Sequence, residues 1–453
     1  MKIAQIHYQP SPLKELQERA DNITRYAALA AEFGQGAQGT ELLSDIKSAL
    51  DAYLVRFANL AQNPPSDSDE PENLSAIRSR RPNGRRRLVD DLPIDYINRL
   101  RGSILGRGAG CTLGAAVEFH SVEYMEAWAK YFGDVYPPTD YFQRVPDPDR
   151  HRYIVGQMKD LTRGQMSFVP ADDDTAYTLI GLLTMEAHGP DFTPQQQAEV
   201  WRRNFTLTSP ENGSWGVYWG ERKLLQNLES GVAVPDAGYR NNPNVQSIAA
   251  WTRADSWGYL APGWPEKAAE FAYCDASINH RRNGVYGCMF FAAAISAAFV
   301  VDDPVEALRI GLQEIPDGCL LAEGIKWALE IAPQIPSYKE AARLVRERYA
   351  GMFEGHAVNN ALFVVFGILI GRRDFTKVIG ETMAMGFDND CTTATAGSIV
   401  GAVVKEEGIP NHWIEPFQDR LQTYLKDLPQ MVEMKDLVRR YEEQARVVSK
   451  LKT

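Results

Sequence analysis

Apolar residues recur at helical spacing along almost the whole chain. From residue 14 to 62 the runs LKELQERADNITRYAALAAEF and TELLSDIKSALDAYLVRFANL each present an apolar stripe three and four residues apart. From about residue 91 one such run follows another: DYINRLRGSIL, DTAYTLIGLLTMEAH, VYGCMFFAAAISAAF, VEALRIGLQEI, AEGIKWALEIA, NNALFVVFGILIG and DLVRRYEEQARVV. Alternating strand patterns bounded by turn residues are scarce. The pattern predicts an all-α fold in three parts: a helical N-terminal appendage over 1–62, a linker over 63–90 and a compact multi-helix domain over 91–453.

The linker is read from charge. NPPSDSDEPE is followed by RSRRPNGRRR, opposite blocks flanked by proline, which predicts an exposed segment open to proteolysis near the arginines. Segments 133–171, rich in proline, and 205–247, with Trp215, Tyr218 and Trp219, break the helical pattern and read as functional loops.

Composition narrows the function. With 48 basic and 59 acidic residues the net charge is −11, which disfavours a general nucleic-acid partner. The five cysteines are scattered without a CxxC pair, so the sequence predicts neither a disulfide framework nor a structural zinc site. The start MKIAQIHYQPSPLKEL lacks an apolar leader core, and the run CMFFAAAISAAFVV is too short to span a bilayer. A cytoplasmic protein with no membrane partner is expected.

Three segments carry candidate chemistry. Asp172, Asp173 and Asp174 precede one apolar helix, and Asp388 and Asp390, within GFDNDCTTATAGS, precede a helix of small residues. Either cluster alone suits a helix N-terminus as a cap or as a partner of the dipole. Together they hold more carboxylates than capping needs, and their oxygens suit Mg²⁺ or Mn²⁺. The third segment, RGSILGRGAGCTLGAAVEF, spaces glycines at 102, 106, 110 and 114 along one helix face and ends in Glu118. It reads either as a close-packing helix or as a face that brings Glu118 to a site.

In this order, GRGAGCTLGAAVE, DDDT and GFDNDCTT resemble the ADP-ribosylglycohydrolase family, which includes the dinitrogen-reductase-activating glycohydrolase and the ADP-ribosyl-acceptor hydrolases. RADSWGY, DASINHRRNGVYG and HAVNNALFVVFGILIG are similar to a large bacterial branch of it, so the resemblance spans roughly residues 90–410. It implies one or two Mg²⁺ or Mn²⁺ ions held by Asp172, Asp173, Asp174, Asp388, Asp390 and Cys391. It also implies catalytic roles for Glu118, Asp173 and Asp174, and a pocket that includes Asp255, His280, His356, Asn359 and Tyr177. Asn360, Trp215 and Trp219 are further candidates to meet a sugar or a base. The chain departs from the family pattern at three positions: Asp172 and Cys391 each stand in place of a threonine, and Cys111 in place of an aspartate. The implied activity is metal-dependent hydrolysis of a glycosidic bond to ADP-ribose or a related ribosyl group. The partner would be an ADP-ribosylated protein or a small ribosyl or glycosyl substrate. A small-molecule nucleosidase or O-glycosidase using the same metal site, and a non-catalytic ADP-ribose-binding protein, stay open as alternatives.

Overall fold

The computed structural model describes residues 10–62, 69–144, 158–207 and 216–452. Helices dominate it, and the one sheet among the described residues is an antiparallel pair, Arg420–Gln422 against Met431–Glu433. The all-α expectation holds.

The interior is built from segments that are apolar on every side, as a helix enclosed by its neighbours must be. All sixteen residues of helix Asn283–Ala298 are buried, including the part of CMFFAAAISAAFVV that lies within it. Helix Ala357–Gly371 is buried over nearly its whole length. No helix among the described residues is long and apolar enough to cross a membrane.

Helix Tyr96–Ala115 runs antiparallel along helix Asn389–Val404 at backbone contact. A Cβ added to Gly106 would lie 2.3 Å from the Gly397 carbonyl oxygen, and one added to Gly110 would lie 2.1 Å from that of Thr393. No side chain fits there, so the four-residue glycine spacing is a steric requirement of this helix pair. The contact also fixes where the two helices end. Glu118 follows the C-terminus of the first helix, and Asp388 and Asp390 stand beside it at the N-terminus of the second.

Residues 10–62 form a two-helix hairpin, Pro10–Glu32 and Gly36–Gln62. Residues 69–90 differ from the exposed linker expected of them. Helix Leu74–Arg80 buries Ile77 completely. Arg81 bonds Glu266 and, at 2.6 Å, Glu314, whose carboxylate also receives Arg86 at 3.1 Å. The Arg87 guanidinium lies 4.1 Å from the Trp264 ring centre. Glu70 bonds Arg282 and Asn283, each at 2.8 Å. The charge blocks find partners on the helical body, which is why the segment is fixed rather than solvated. Residues 63–68 lie outside the described residues. So does the middle of 133–171, and 205–247 holds helix Trp219–Glu229 instead of a structureless loop.

Candidate metal centre

Both acidic clusters stand where a helix N-terminus favours negative charge, but they use that position differently. Asp172 caps helix Asp173–His188, its Oδ1 accepting the Asp174 amide at 2.9 Å. Asp388 holds the cap position of helix Asn389–Val404, yet its side chain makes no capping hydrogen bond. Capping therefore accounts for Asp172 and leaves Asp388 and Asp390 unexplained.

Three groups of donor atoms converge, each with its atoms within 4.8 Å of one another: Cys111, Asp172 and Asp174; Asp174, Asp390 and Cys391; Glu118, Asp388 and Asp390. Asp174 and Asp390 belong to two groups each. Asp173, one residue away, belongs to none of them, so Asp172 joins Asp174 where the sequence paired Asp173 with it. Asp174 is 1% exposed and Asp388 and Asp390 3% each. Even so, Asp174 Oδ2, Asp388 Oδ1 and Asp390 Oδ1 are buried oxygens with no hydrogen-bond partner.

Burial and mutual repulsion act on all of these acids. Burial, then the Asp390 charge, pushes Asp172 up to about 7. The same two causes hold Asp174 well above the carboxylate range, with Arg107 opposing them. Burial pushes Asp173 and Asp388 well up and Asp390 up. Glu118 stands at the rim with its side chain partly in solvent, but its carboxyl faces Asp390, whose charge and then burial push it up to about 9. Burial raises the Cys111 and Cys391 thiols, and the surrounding carboxylates raise them further.

Among the described residues one buried cation, Arg107, pairs with these acids. Arg107 is wholly buried on the glycine helix. It donates to Asp255 at 2.8 Å, to the Asp174 carbonyl at 2.9 Å and to Asp174 Oδ1 at 3.2 Å. Burial opposes its charge, but Asp255 and Asp174 more than offset that and keep it protonated. Sequence reasoning passed over Arg107; a lone arginine amid a glycine face was the available signal. Asp255, expected to meet substrate, lies behind Arg107 and is fully buried with Tyr259.

The loop entering the second cluster is left-handed at two consecutive residues, Gly386 at φ 86° and Phe387 at φ 64°. For phenylalanine this is strained and needs support. The Phe119 amide donates to the Phe387 carbonyl at 2.9 Å, Phe363 stacks at 5.0 Å, and the Arg346 guanidinium sits 4.5 Å from the ring centre. The Asp388 amide approaches Asn360 Oδ1 at 3.4 Å. The loop is held from three sides so that Asp388 aims inward.

The remaining expected pocket residues have partners within the fold. His280 is fully buried between Ser247 and Asn279, at 3.0 and 2.9 Å, beside the Arg253–Glu221–Asp275 ion network. Burial lowers it to about 4, so it is neutral near pH 7. Tyr177 packs edge-on against Trp201 and Phe205 in the core and cannot stack a ligand. His356 caps helix Ala357–Gly371, accepting the Val358 amide at 3.1 Å. Asn359 donates to the Phe353 carbonyl at 2.9 Å, fixing the loop before that helix. Trp219 keeps a position at the edge of the site, its ring 6.3 Å from Phe119 and 5.2 Å from Phe353. Trp215 lies outside the described residues. A cavity of about 480 Å³ is lined by Phe119 and Phe387, the chain neighbours of Glu118 and Asp388, with His120, Arg343, Arg346 and Glu354 among others; none of the clustered acids lines it.

The helical body and the acidic centre define an all-α protein with a candidate metal centre between two helix ends. The comparison with known families makes this specific: the ADP-ribosylglycohydrolase model matches residues 92–446, and the chain belongs to that family. Membership suggests glycohydrolase activity. A solved structure described as an ADP-ribosylglycohydrolase-related protein complex is similar at 17% identity and a TM-score of 0.46, covering 78% of this chain and 99% of its own. No curated protein matches the chain.

Proposed function

We propose that this chain hydrolyses a glycosidic bond joining ADP-ribose, or a related ribosyl group, to an acceptor on a protein or small molecule, using one or two divalent ions such as Mg²⁺ or Mn²⁺. The observation that carries the reading is the set of buried carboxylate oxygens without partners, faced by one buried cation, Arg107, among the described residues. Uncompensated buried charge of this kind is costly unless something positive occupies the site. Asp172, Asp174, Asp388 and Asp390 would hold the ions, with Cys391 and Asp173 beside them.

When bound, such ions supply an activated water and a Lewis acid for the sugar oxygens. Glu118 is the acid at the rim, placed to take the proton of the attacking water. In the metal-free protein its upward shift arises first from Asp390, so neutralising Asp390 returns Glu118 towards its ordinary range, where it can act as a base. Arg107 holds Asp174 in place and lowers the cost of its charge.

The test is to supply Mn²⁺ or Mg²⁺ and assay ADP-ribosyl-arginine, ADP-ribosyl-serine and free nucleosides for turnover. Release of ADP-ribose from either ADP-ribosyl substrate supports the reading. Cleavage of nucleosides alone would replace it with a nucleosidase, and tight binding without turnover with an ADP-ribose-binding protein.

A further inference from the structure

The two thiols divide the centre into chemically unlike halves. Glu118, Asp388 and Asp390 form a group of oxygen donors alone. The other two groups meet at Asp174, and each contains a sulfur: Cys111 with Asp172, and Cys391 with Asp390. Both cysteines are free and buried, Cys111 at 2% and Cys391 at 7% exposure. Their positions are set by backbone packing. Cys111 follows Gly110, which abuts Thr393, and Cys391 follows Asp390, whose amide abuts Gly114. Asp174 belongs to both sulfur-containing groups, and its Oδ2 is buried without a partner. The other three cysteines belong to no such group among the described residues.

Carboxylate oxygens suit Mg²⁺ and Mn²⁺, whereas thiolates select thiophilic ions and are poor ligands for Mg²⁺. We infer that the centre is asymmetric: the oxygen-only half takes Mg²⁺ or Mn²⁺, and the half flanked by Cys111 and Cys391 takes a borderline, thiophilic divalent ion of the Zn²⁺ or Co²⁺ class. The inference rests on the reading above that the cluster holds divalent ions. On binding, each coordinating thiol loses its proton to solvent as the S–H bond is replaced by a sulfur–metal bond, with no change of oxidation state. Zn²⁺ accepts mixed oxygen and sulfur ligands.

The test is a Co²⁺ titration of the metal-free full chain with a non-thiol reductant present, followed by absorption spectroscopy and competition. The expected result is a near-ultraviolet thiolate-to-cobalt charge-transfer band that Zn²⁺ abolishes and excess Mg²⁺ leaves in place. Cys111→Ser and Cys391→Ser should each weaken the band and lower the preference for Zn²⁺ over Mg²⁺ by at least about tenfold. Paramagnetic resonance should still detect Mn²⁺ in both variants. Co²⁺ binding without the band, or displaced equally well by Mg²⁺, would overturn the asymmetry and leave the metal reading standing. Failure of every divalent ion to bind would overturn both. The wild-type competition decides the question even if a variant does not fold.

Discussion

Asp390→Asn separates a metal ligand from a helix-terminal charge, because it keeps the side-chain volume and removes only the negative charge. Asp390 lies within 4.8 Å of donor atoms on Glu118, Asp388, Asp174 and Cys391. Two full charges at that separation repel by roughly 3–4 kcal/mol at an effective dielectric of about 20. Bound protons absorb part of this in the metal-free state, so the figure sets the scale for one pair and is not the total that the substitution relieves. A residue acting only through the helix end would instead cost about 1 kcal/mol when neutralised. The metal response is the sharper readout. At a hundredfold excess over its Kd an ion stabilises the wild type by about 2.7 kcal/mol. Taking about 2.1 cal/mol/K per residue for a matched region of 355 residues, unfolding entropy is about 0.75 kcal/mol/K, and the melting temperature rises by about 3–4 °C. Scanning calorimetry with chelator and with saturating Mn²⁺ should show that rise in the wild type and less than about 1 °C in Asp390→Asn. An undiminished rise in the variant would refute the assignment of Asp390 as a ligand.

His280 has a folded pKa of about 4 against an ordinary 6.5; a depressed value contributes stability above pH 6.5 that is lost as pH falls through 4. In matched metal-free denaturant titrations, His280→Gln should flatten the acid side of the stability profile by up to about 3 kcal/mol; identical slopes would show that burial does not hold His280 neutral. Glu314 is completely buried between Arg81 and Arg86, so Glu314→Ala should cost roughly 3–5 kcal/mol and speed tryptic cleavage there. Unchanged digestion would mean the segment does not depend on that carboxylate. A Cβ at Gly114 would lie 2.4 Å from Asn389 and Asp390 backbone atoms; Gly114→Ala should therefore weaken Mn²⁺ binding by about tenfold or more, which calorimetric titration would detect.

The fold was legible because its signal is local. Sixteen consecutive buried residues in helix 283–298 leave no polar face to misread, and the glycines at 102, 106, 110 and 114 state their own spacing. The acids of the centre were legible because they are too many for capping. The charged stretch at 69–90 reads as an exposed linker because its partners, Glu266, Asn283 and Glu314, lie about two hundred residues away. Within a window, an arginine bound for a buried glutamate looks the same as one bound for water. The same limit applies to His280, Tyr177 and Asp255, which lie in motif-like segments and serve as supports. Choosing between Asp172 and Asp173 needed the helix start, since one residue of rotation decides which carboxylate turns towards Asp174.

These supports bear on how the centre keeps its shape. Five carboxylates converge where three helices end, two of them with backbones in contact, and packing there leaves no freedom to spread. On one side Arg107, itself held by Asp255, clamps Asp174. On the other, Asn360, Phe363 and Arg346 hold a left-handed Phe387 that aims Asp388. Without these restraints, repulsion would drive the acids apart until each found water, and the strained loop would relax in the same direction. The geometry of the proposed ligands is thus set by residues outside the donor groups. Their loss should appear first as weaker metal binding and only secondarily as lower stability.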